Sequence, residues 1–535
     1  MAQPITSKSF MVMVTGLLFC FLISLTFHRS LRKCIRPVMP MIVSTAPIQP
    51  VSDIQMTTDA IFLQLDQKIP RINIIDKSNS TSSKNSKVYL KNPKDTYCVG
   101  DHLTVQVDMF DYLGKKKTYG GDFLRARIST PEIEAGSSGR IEDFNNGTYH
   151  VHFILFWEGK VNIEVLLMHP SEGAAALWTY RNKWHGYVDH SGKYTSLQGQ
   201  SEVECGFHLG KNQELCEYKD TRDEEYFYCI KSENFSCDSL NEVRSQWRKD
   251  KTLLTTIEKS LFDKSNVGIR ISSDFGGINV TQCKNNSISI KERCKIGMKL
   301  EYPSGYAMKN MWYPKGCSMI AYENLEELDT CLRGKLIHIF GDSTLKQWFY
   351  YIESKIKTLQ HFNLYEDNWS RQLLNLDLQR NMRISWKRHT FPFISTSYGS
   401  WKEERTIARE IDLIRGDKRT VIILNIGVHF RSYPVYYFIK RLYNIRQAIE
   451  RLFRRSPETN VIIKTENTSD MKKDFECVSD FHAFIHYSIM EIVLKDLNVG
   501  FVNGWDMTNA FDTNDVHPPE KVIGNEVKML MTYIC

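Results

Sequence analysis

The stretch KLIHIFGDSTLKQWFYYIESKIK, residues 335–357, decides the reading of the C-terminal half of the chain. Lys335 to Phe340 is an apolar run of strand length, and Gly341 breaks it. From Ser343 to Lys357, residues Leu345, Trp348, Phe349, Ile352 and Ile356 recur on one helical face. The same alternation continues downstream. Val421 to Leu424 is a second apolar strand, followed by a turn and a helix from about Val435 to Arg454. Val461 to Lys464 is a third strand, and an apolar helix spans about Ser479 to Leu497. Gly500 to Val502 is a short fourth strand before a final helix from about Glu520 to Ile534. Strand alternating with helix predicts a mostly parallel sheet covered on both faces.

Upstream the texture differs. HLTVQVDMFD, FLRARIST, GTYHVHFILF and KVNIEVLLM, between Val88 and about Pro170, alternate with period two and are separated by turn residues, which predicts an antiparallel β-sandwich over 88–200. Residues 201–300 carry six cysteines and few long apolar runs, so disulfides are expected to substitute for core burial there. Residues 28–87, rich in Pro, Ser, Thr and Asn, read as a stem or linker. Residues 10–27 form one uncharged apolar run, read as a signal anchor or a signal peptide, behind a short tail at 1–9. Arg29, Arg32, Lys33 and Arg36 beyond that run oppose a lumenal body by the positive-inside rule.

Composition bounds the rest. The 535 residues, 42% hydrophobic, suffice for two or three domains, and a net charge of +7 from 69 basic and 62 acidic residues is too dilute for a nucleic-acid partner. Sequons at Asn79, Asn146, Asn234, Asn279, Asn285, Asn368 and Asn467, with 13 cysteines, indicate glycosylation and an oxidising compartment. The expected localisation is the ER or Golgi lumen as a type II membrane protein with a single span, or secretion if the N-terminal segment is cleaved. No metal is expected, since no CxxC occurs and the spacing of Cys205, Cys216, Cys229 and Cys237 fits no zinc knuckle. Counting by segment, the six cysteines of 201–300 and the set Cys317, Cys331, Cys477 and Cys535 are even, leaving Cys98 as the odd thiol.

Three places carry chemistry. Gly341-Asp342-Ser343 sits where a strand meets a helix, at the carboxyl edge of the sheet, where a nucleophile is useful and a helix N-terminus stabilises an oxyanion; a simple helix cap is the plainer alternative. Asn425, in Asn425-Ile-Gly-Val-His429 after the next strand, either completes an oxyanion hole or stabilises its own turn. His517, in Asp512-Thr-Asn-Asp-Val-His-Pro-Pro519, lies in a loop rather than on an apolar face.

In this order the residues resemble the SGNH-type esterases, and more closely their PC-esterase branch. Asp143 to Val151 with Trp157 to Val161 resembles a filamin-type immunoglobulin-like repeat. With Tyr302-Pro-Ser-Gly-Tyr306, Trp312-Tyr-Pro314 and Tyr533-Ile-Cys535 added, the chain resembles the NXPE family, the neurexophilin and PC-esterase domain proteins. The resemblance implies a multidomain chain: an immunoglobulin/filamin-like β-sandwich, a Cys-rich segment and an α/β SGNH-like PC-esterase domain over 301–535. It makes Ser343 the nucleophile, His517 the general base, and Asn425 with the Ser343 amide the oxyanion donors, with Gly399 as an additional donor. The family pattern Asp-x-x-His is broken, because Asn514 stands three residues before His517. Asp515 is the favoured acid, with Asp512 or an acid-free dyad as alternatives. In a serine protease, Asn in place of the acid costs about 10⁴ in turnover.

Relatives implied by the resemblance include Golgi O-acetyltransferases of sialic acid and plant cell-wall polysaccharides. The expected activity is therefore O-acetyl transfer from acetyl-CoA, with no permanently bound cofactor, to a sialylated glycan or glycoprotein acceptor, the donor being brought into the lumen by a separate transporter. Arg431 and Lys346 are candidates to meet the anionic substrates, though solvated surface charge is the plainer reading of both. Trp348 and Trp401 could stack a ring, although Trp348 lies on the apolar face. Alternatives are a carbohydrate O-acetyl esterase, or a secreted or tethered neurexophilin-like protein with an inactive esterase domain whose sandwich binds a cell-surface protein.

Overall fold

The computed structural model describes residues 52–535 apart from 184–185, 198, 211–212, 249–252, 284–290, 363–371, 396 and 470–474. A seven-stranded sheet organises the C-terminal part. Its spatial order is Gln360–Phe362, Leu373–Asp377, Met382–Arg388, Leu336–Gly341, Thr420–Leu424, Asn460–Lys464 and Gly500–Val502. The last five strands are parallel to one another and the first two are antiparallel additions at one edge. Both faces are covered, and the strand Thr420–Leu424 divides its residues between two cores by the pleat. Val421 and Ile423 pack with Leu345, Trp348 and Phe349 of the helix Ser343–Lys355 and with Val527 and Leu530 of the helix Glu520–Ile534. Ile422 and Leu424 pack with Phe438, Leu442 and Ile445 of the helix Val435–Arg455 and with Ile489 of the helix Asp480–Val493.

Upstream, a five-stranded and an eight-stranded sheet, both largely antiparallel, face each other across one core. Alternation sets what each strand presents. In Phe123–Thr130, Leu124, Ala126 and Ile128 enter that core, so Arg125 and Arg127 emerge on the opposite face. The boundaries expected at 200 and 300 cut across sheets. Strands at Ser272–Ser273, Ile278–Thr281, Gly305–Met308 and Met311–Pro314 return to the two facing sheets, while Val188–Ser196 leaves them for a separate six-stranded antiparallel sheet. Local alternation marks strands but not which distant strand each one pairs with.

Two further expectations are corrected. From Asp53 onward, the expected stem is folded. The helix Asp53–Asp66 buries Ile61 and Leu65 in the core of the helix Val435–Arg455, and Trp178 Nε1 donates to Asp66 at 2.8 Å. Ser80, Ser82, Ser83 and Ser86 are buried, with Ser83 N donating to Asn266 at 2.7 Å and Ser86 Oγ to the Ser82 carbonyl at 2.7 Å. Hydroxyl-rich sequence reads as linker until its partners are known. The cysteines pair as Cys98–Cys283, Cys205–Cys229, Cys216–Cys237, Cys294–Cys317 and Cys331–Cys535. Cys98 is therefore bridged, and Cys477 belongs to none of these five pairs. Parity by segment failed because two bridges cross the assumed boundaries. Five disulfides mark an extracellular or lumenal protein of the secretory pathway. Among the described residues no helix is long and apolar enough to cross a membrane, and the 10–27 segment lies outside them.

Candidate active site

Ser343 opens its helix at the carboxyl end of the central strand Leu336–Gly341. The preceding residue, Asp342, is the cap: its Oδ1 accepts from the Thr344 amide at 2.9 Å and the Thr344 hydroxyl at 2.7 Å, and its Oδ2 from the Val428 amide at 3.2 Å. Burial opposes ionisation of Asp342, but His429, Thr344 and His389 outweigh it and hold the carboxyl below its ordinary range. Gly341 is required by proximity, since a Cβ there would fall 2.6 Å from the Asn425 carbonyl oxygen. With Asp342 occupied by capping, the Ser343 side chain is left for His517, whose Nε2 lies 2.7 Å from Ser343 Oγ. A neutral imidazole accepting at Nε2 carries its proton on Nδ1.

The acid expected beside His517 is engaged elsewhere. Asp515 Oδ1 accepts from the backbone amide of His517 at 2.9 Å, an Asx turn that shapes the loop without bonding the ring. Asp512 pairs with Arg127 at 2.8 Å, and Asn514 Oδ1 accepts from Arg125 Nη2 at 2.8 Å. Among the described residues no carboxylate is bonded to His517 Nδ1. The ring is held in place by its loop. Arg127 also donates to the Ala510 carbonyl at 3.3 Å, Asn467 Nδ2 to the Val516 carbonyl at 2.9 Å, and Thr468 Oγ1 to the Thr513 carbonyl at 2.6 Å. Arg125 is itself anchored by buried Asp480 at 2.7 Å.

Asn425 does not present its amide to Ser343. Nδ2 donates to the carbonyls of Lys464 and Thr465 at 3.1 and 3.3 Å, and Oδ1 accepts from the Gly427 amide at 2.9 Å, so the side chain stitches two strand ends together. Gly399 lies on the six-stranded sheet, paired with Val243, where a Cβ would strike the Arg388 guanidinium at 1.9 Å. His429 lies close enough to Asp342 and His517 to interact with both electrostatically. The Ile394 amide donates to His429 Nδ1 at 3.0 Å, which places the proton of the neutral ring on Nε2; burial pushes the pKa down to about 4, with Asp342 opposing and Arg388 and His517 adding to the fall. His429 Nε2 is buried with no hydrogen-bond partner among the described residues.

Neither cation candidate is a solvated charge. Arg431 is 0% exposed and its guanidinium is fully engaged by Glu466 at 2.7 Å, Ser469 at 3.0 Å and the carbonyls of Asn467 and Val478 at 2.8 and 3.0 Å. It has nothing left for a substrate. Burial raises the pKa of Glu466, Arg431 opposes the rise, and the same carboxylate accepts from His486 Nδ1 at 2.7 Å. Lys346 is buried with its ammonium 5.1 Å from the Trp386 ring, and burial lowers its pKa. Trp348 is core, with Nε1 on Glu526 at 2.7 Å. Trp401 stacks on Phe227 at 5.2 Å and lines, with Tyr218, Phe391 and Arg409, a cavity of about 250 Å³. Of the sequons, Asn79, Asn146, Asn234 and Asn279 are exposed, while Asn285 and Asn368 lie outside the described residues. Asn467 is buried, bonded to Lys464 and the Val516 carbonyl, so a glycan there is incompatible with the fold.

Sequence reasoning missed Arg125, Arg127 and His429. Two arginines at alternate positions of one strand signal an outward polar face but not its partner 383 or more residues away. His429 stood in the Asn425 motif without a role, because its backbone partner Ile394 comes from another element. Comparison with known families gives two matches. Residues 67–257 match the neurexophilin family model, and residues 312–535 match the model described as "NXPE family member 4-like, C-terminal domain". Together these two matches, in this order along one chain, establish that the protein belongs to the NXPE family.

Proposed function

We propose that the protein is a glycan O-acetyltransferase of the Golgi lumen, moving acetyl from acetyl-CoA through Ser343 to a hydroxyl of sialic acid. On this reading the parallel sheet is an SGNH-type catalytic domain and the two facing sheets are an immunoglobulin-like module. The observation that carries the proposal is the 2.7 Å contact between Ser343 Oγ and His517 Nε2 at the carboxyl edge of the sheet. Ser343 Oγ attacks the thioester carbonyl as its proton passes to Nε2, and that proton leaves with the CoA thiolate. The acceptor hydroxyl then attacks the acyl-serine, gives its proton to Nε2, and the proton returns to Ser343 as the ester departs.

The developing oxyanion is assigned to the Ser343 amide and His429 Nε2–H, because the Asn425 amide is spent on strand carbonyls. With no carboxylate on Nδ1 among the described residues, the imidazolium is stabilised by solvent and by a loop that fixes the ring in place. That absence is also what favours the second reading, a binding protein whose esterase domain is inactive. The full chain, incubated with acetyl-CoA and a sialylated acceptor, is expected to yield acetylated glycan by mass spectrometry, and Ser343→Ala is expected to yield none. Release of free acetate with no acetylated acceptor would instead identify an esterase.

A further inference from the structure

We infer that the outer face of the five-stranded sheet carries a binding site for a zinc-like divalent metal, built from Glu142, His150 and His152. Strand alternation creates it. In Thr148–Ile154, Tyr149, Val151 and Phe153 are buried in the core, so His150 and His152 project together from the other face. The neighbouring strand Arg140–Asp143 pairs antiparallel with Glu142 opposite His150. Its carboxylate leans diagonally to lie 3.0 Å from His152 Nε2. One ligand atom from each of the three residues lies within 4.8 Å of the others, the one such His/Cys/Asp/Glu grouping among the described residues. Bonds of about 2.0 Å in a tetrahedral site need donors about 3.3 Å apart, so metal binding draws the three side chains closer together.

The surroundings fit a ligand role as well. Thr104, on the strand at the other side, places Oγ1 3.1 Å from His152 Nδ1, the kind of outer partner that turns Nε2 toward a metal. Phe144 packs edge-on against the His150 ring at 4.5 Å. The Lys91 ammonium already sits 3.1 Å from His150 Nε2, so that nitrogen presents a lone pair to a cation in this structure. Lys91 is exposed and its long side chain can withdraw. Two imidazoles and one carboxylate suit zinc and leave a fourth position for water or for a donor from a partner.

The test is a titration of the full chain with Zn²⁺ in competition with a chromophoric chelator, independent of any acyl-transfer activity. The expected result is one equivalent that is lost in the His150→Asn/His152→Asn double variant, weakened at least tenfold by Glu142→Gln, and tightened by Lys91→Ala. Zinc should also raise the thermal midpoint of the wild type and not of the double variant, whose metal-free midpoint verifies folding. Equal stoichiometry and affinity in wild type and double variant, or no binding to either, would overturn the inference and leave an ordinary Glu142–His152 hydrogen bond.

Discussion

Arg125 donates to Asn514 across 389 positions of sequence, joining a strand of the two-sheet unit to the loop that carries His517. Arg127 does the same two residues on, through Asp512. The residue that departs from the family pattern is thus part of a clamp, through which the part of the chain that matches the neurexophilin model holds the loop of His517.

Arg127→Ala is expected to lower the transfer rate about tenfold while shifting the thermal midpoint little, because its partner Asp512 is mostly exposed, and exposed ion pairs contribute at most about 1 kcal/mol. Arg125→Ala is expected to destabilise the fold by about 3–5 kcal/mol, since it strands buried Asp480. Chemical denaturation and steady-state rates on both variants separate the two effects.

Asp515 acts through its backbone bond, so Asp515→Asn, which keeps an acceptor oxygen for the His517 amide, is expected to retain most activity while Asp515→Ala loses most of it. Asn514→Asp is expected to change the rate by no more than a few fold, because position 514 faces Arg125 and not the ring. A large gain with Asn514→Asp would show that the side chain can turn to His517 and restore a triad.

His429→Phe preserves the stack on Phe393, at 4.1 Å, and removes the Nε2–H donor. The expected loss is about 10²–10³ in kcat with KM little changed, and His429→Gln should recover part of it. An unchanged kcat would remove His429 from the oxyanion site.

Burial sets the sign of a pH effect at the same residue. His429 has its pKa lowered from 6.5 to about 4, so the unfolded chain takes up a proton that the folded site refuses. Its contribution to stability is complete above pH 6.5 and is lost as pH falls toward 4. Thermal midpoints of wild type should therefore drop more steeply over that window than those of His429→Phe. Nitrogen NMR should find the ring neutral at pH 5.5, with its proton on Nε2.

What the sequence made legible follows the range of the interactions. The strand ending at Gly341 and the face formed by Leu345, Trp348, Phe349 and Ile352 are local patterns, and they form as the periodicity predicts. Ser343 and His517 were legible through the resemblance and through their positions at strand and helix ends. Arg431 and Asn425 were misread because a side chain's partners decide between substrate and scaffold, and Glu466, Ser469 and Lys464 all lie on a different strand end. The buried serines at 80–86 and the Cys98–Cys283 bridge were hidden for the same reason: composition suggested exposure and segment parity suggested isolation, while the contacts that settle both come from residues near 266 and 283.

Acyl transfer through Ser343 is tested by a single-turnover reaction of the full chain with acetyl-CoA, trapped by acid and read by peptide mass. An acetyl group is expected on the peptide containing Ser343, discharged when a sialylated acceptor is added and absent from Ser343→Ala and His517→Ala. Acetylated glycan appearing at wild-type rate from Ser343→Ala, or no acetyl-enzyme and no acetylated glycan from the intact chain, would contradict transfer through Ser343.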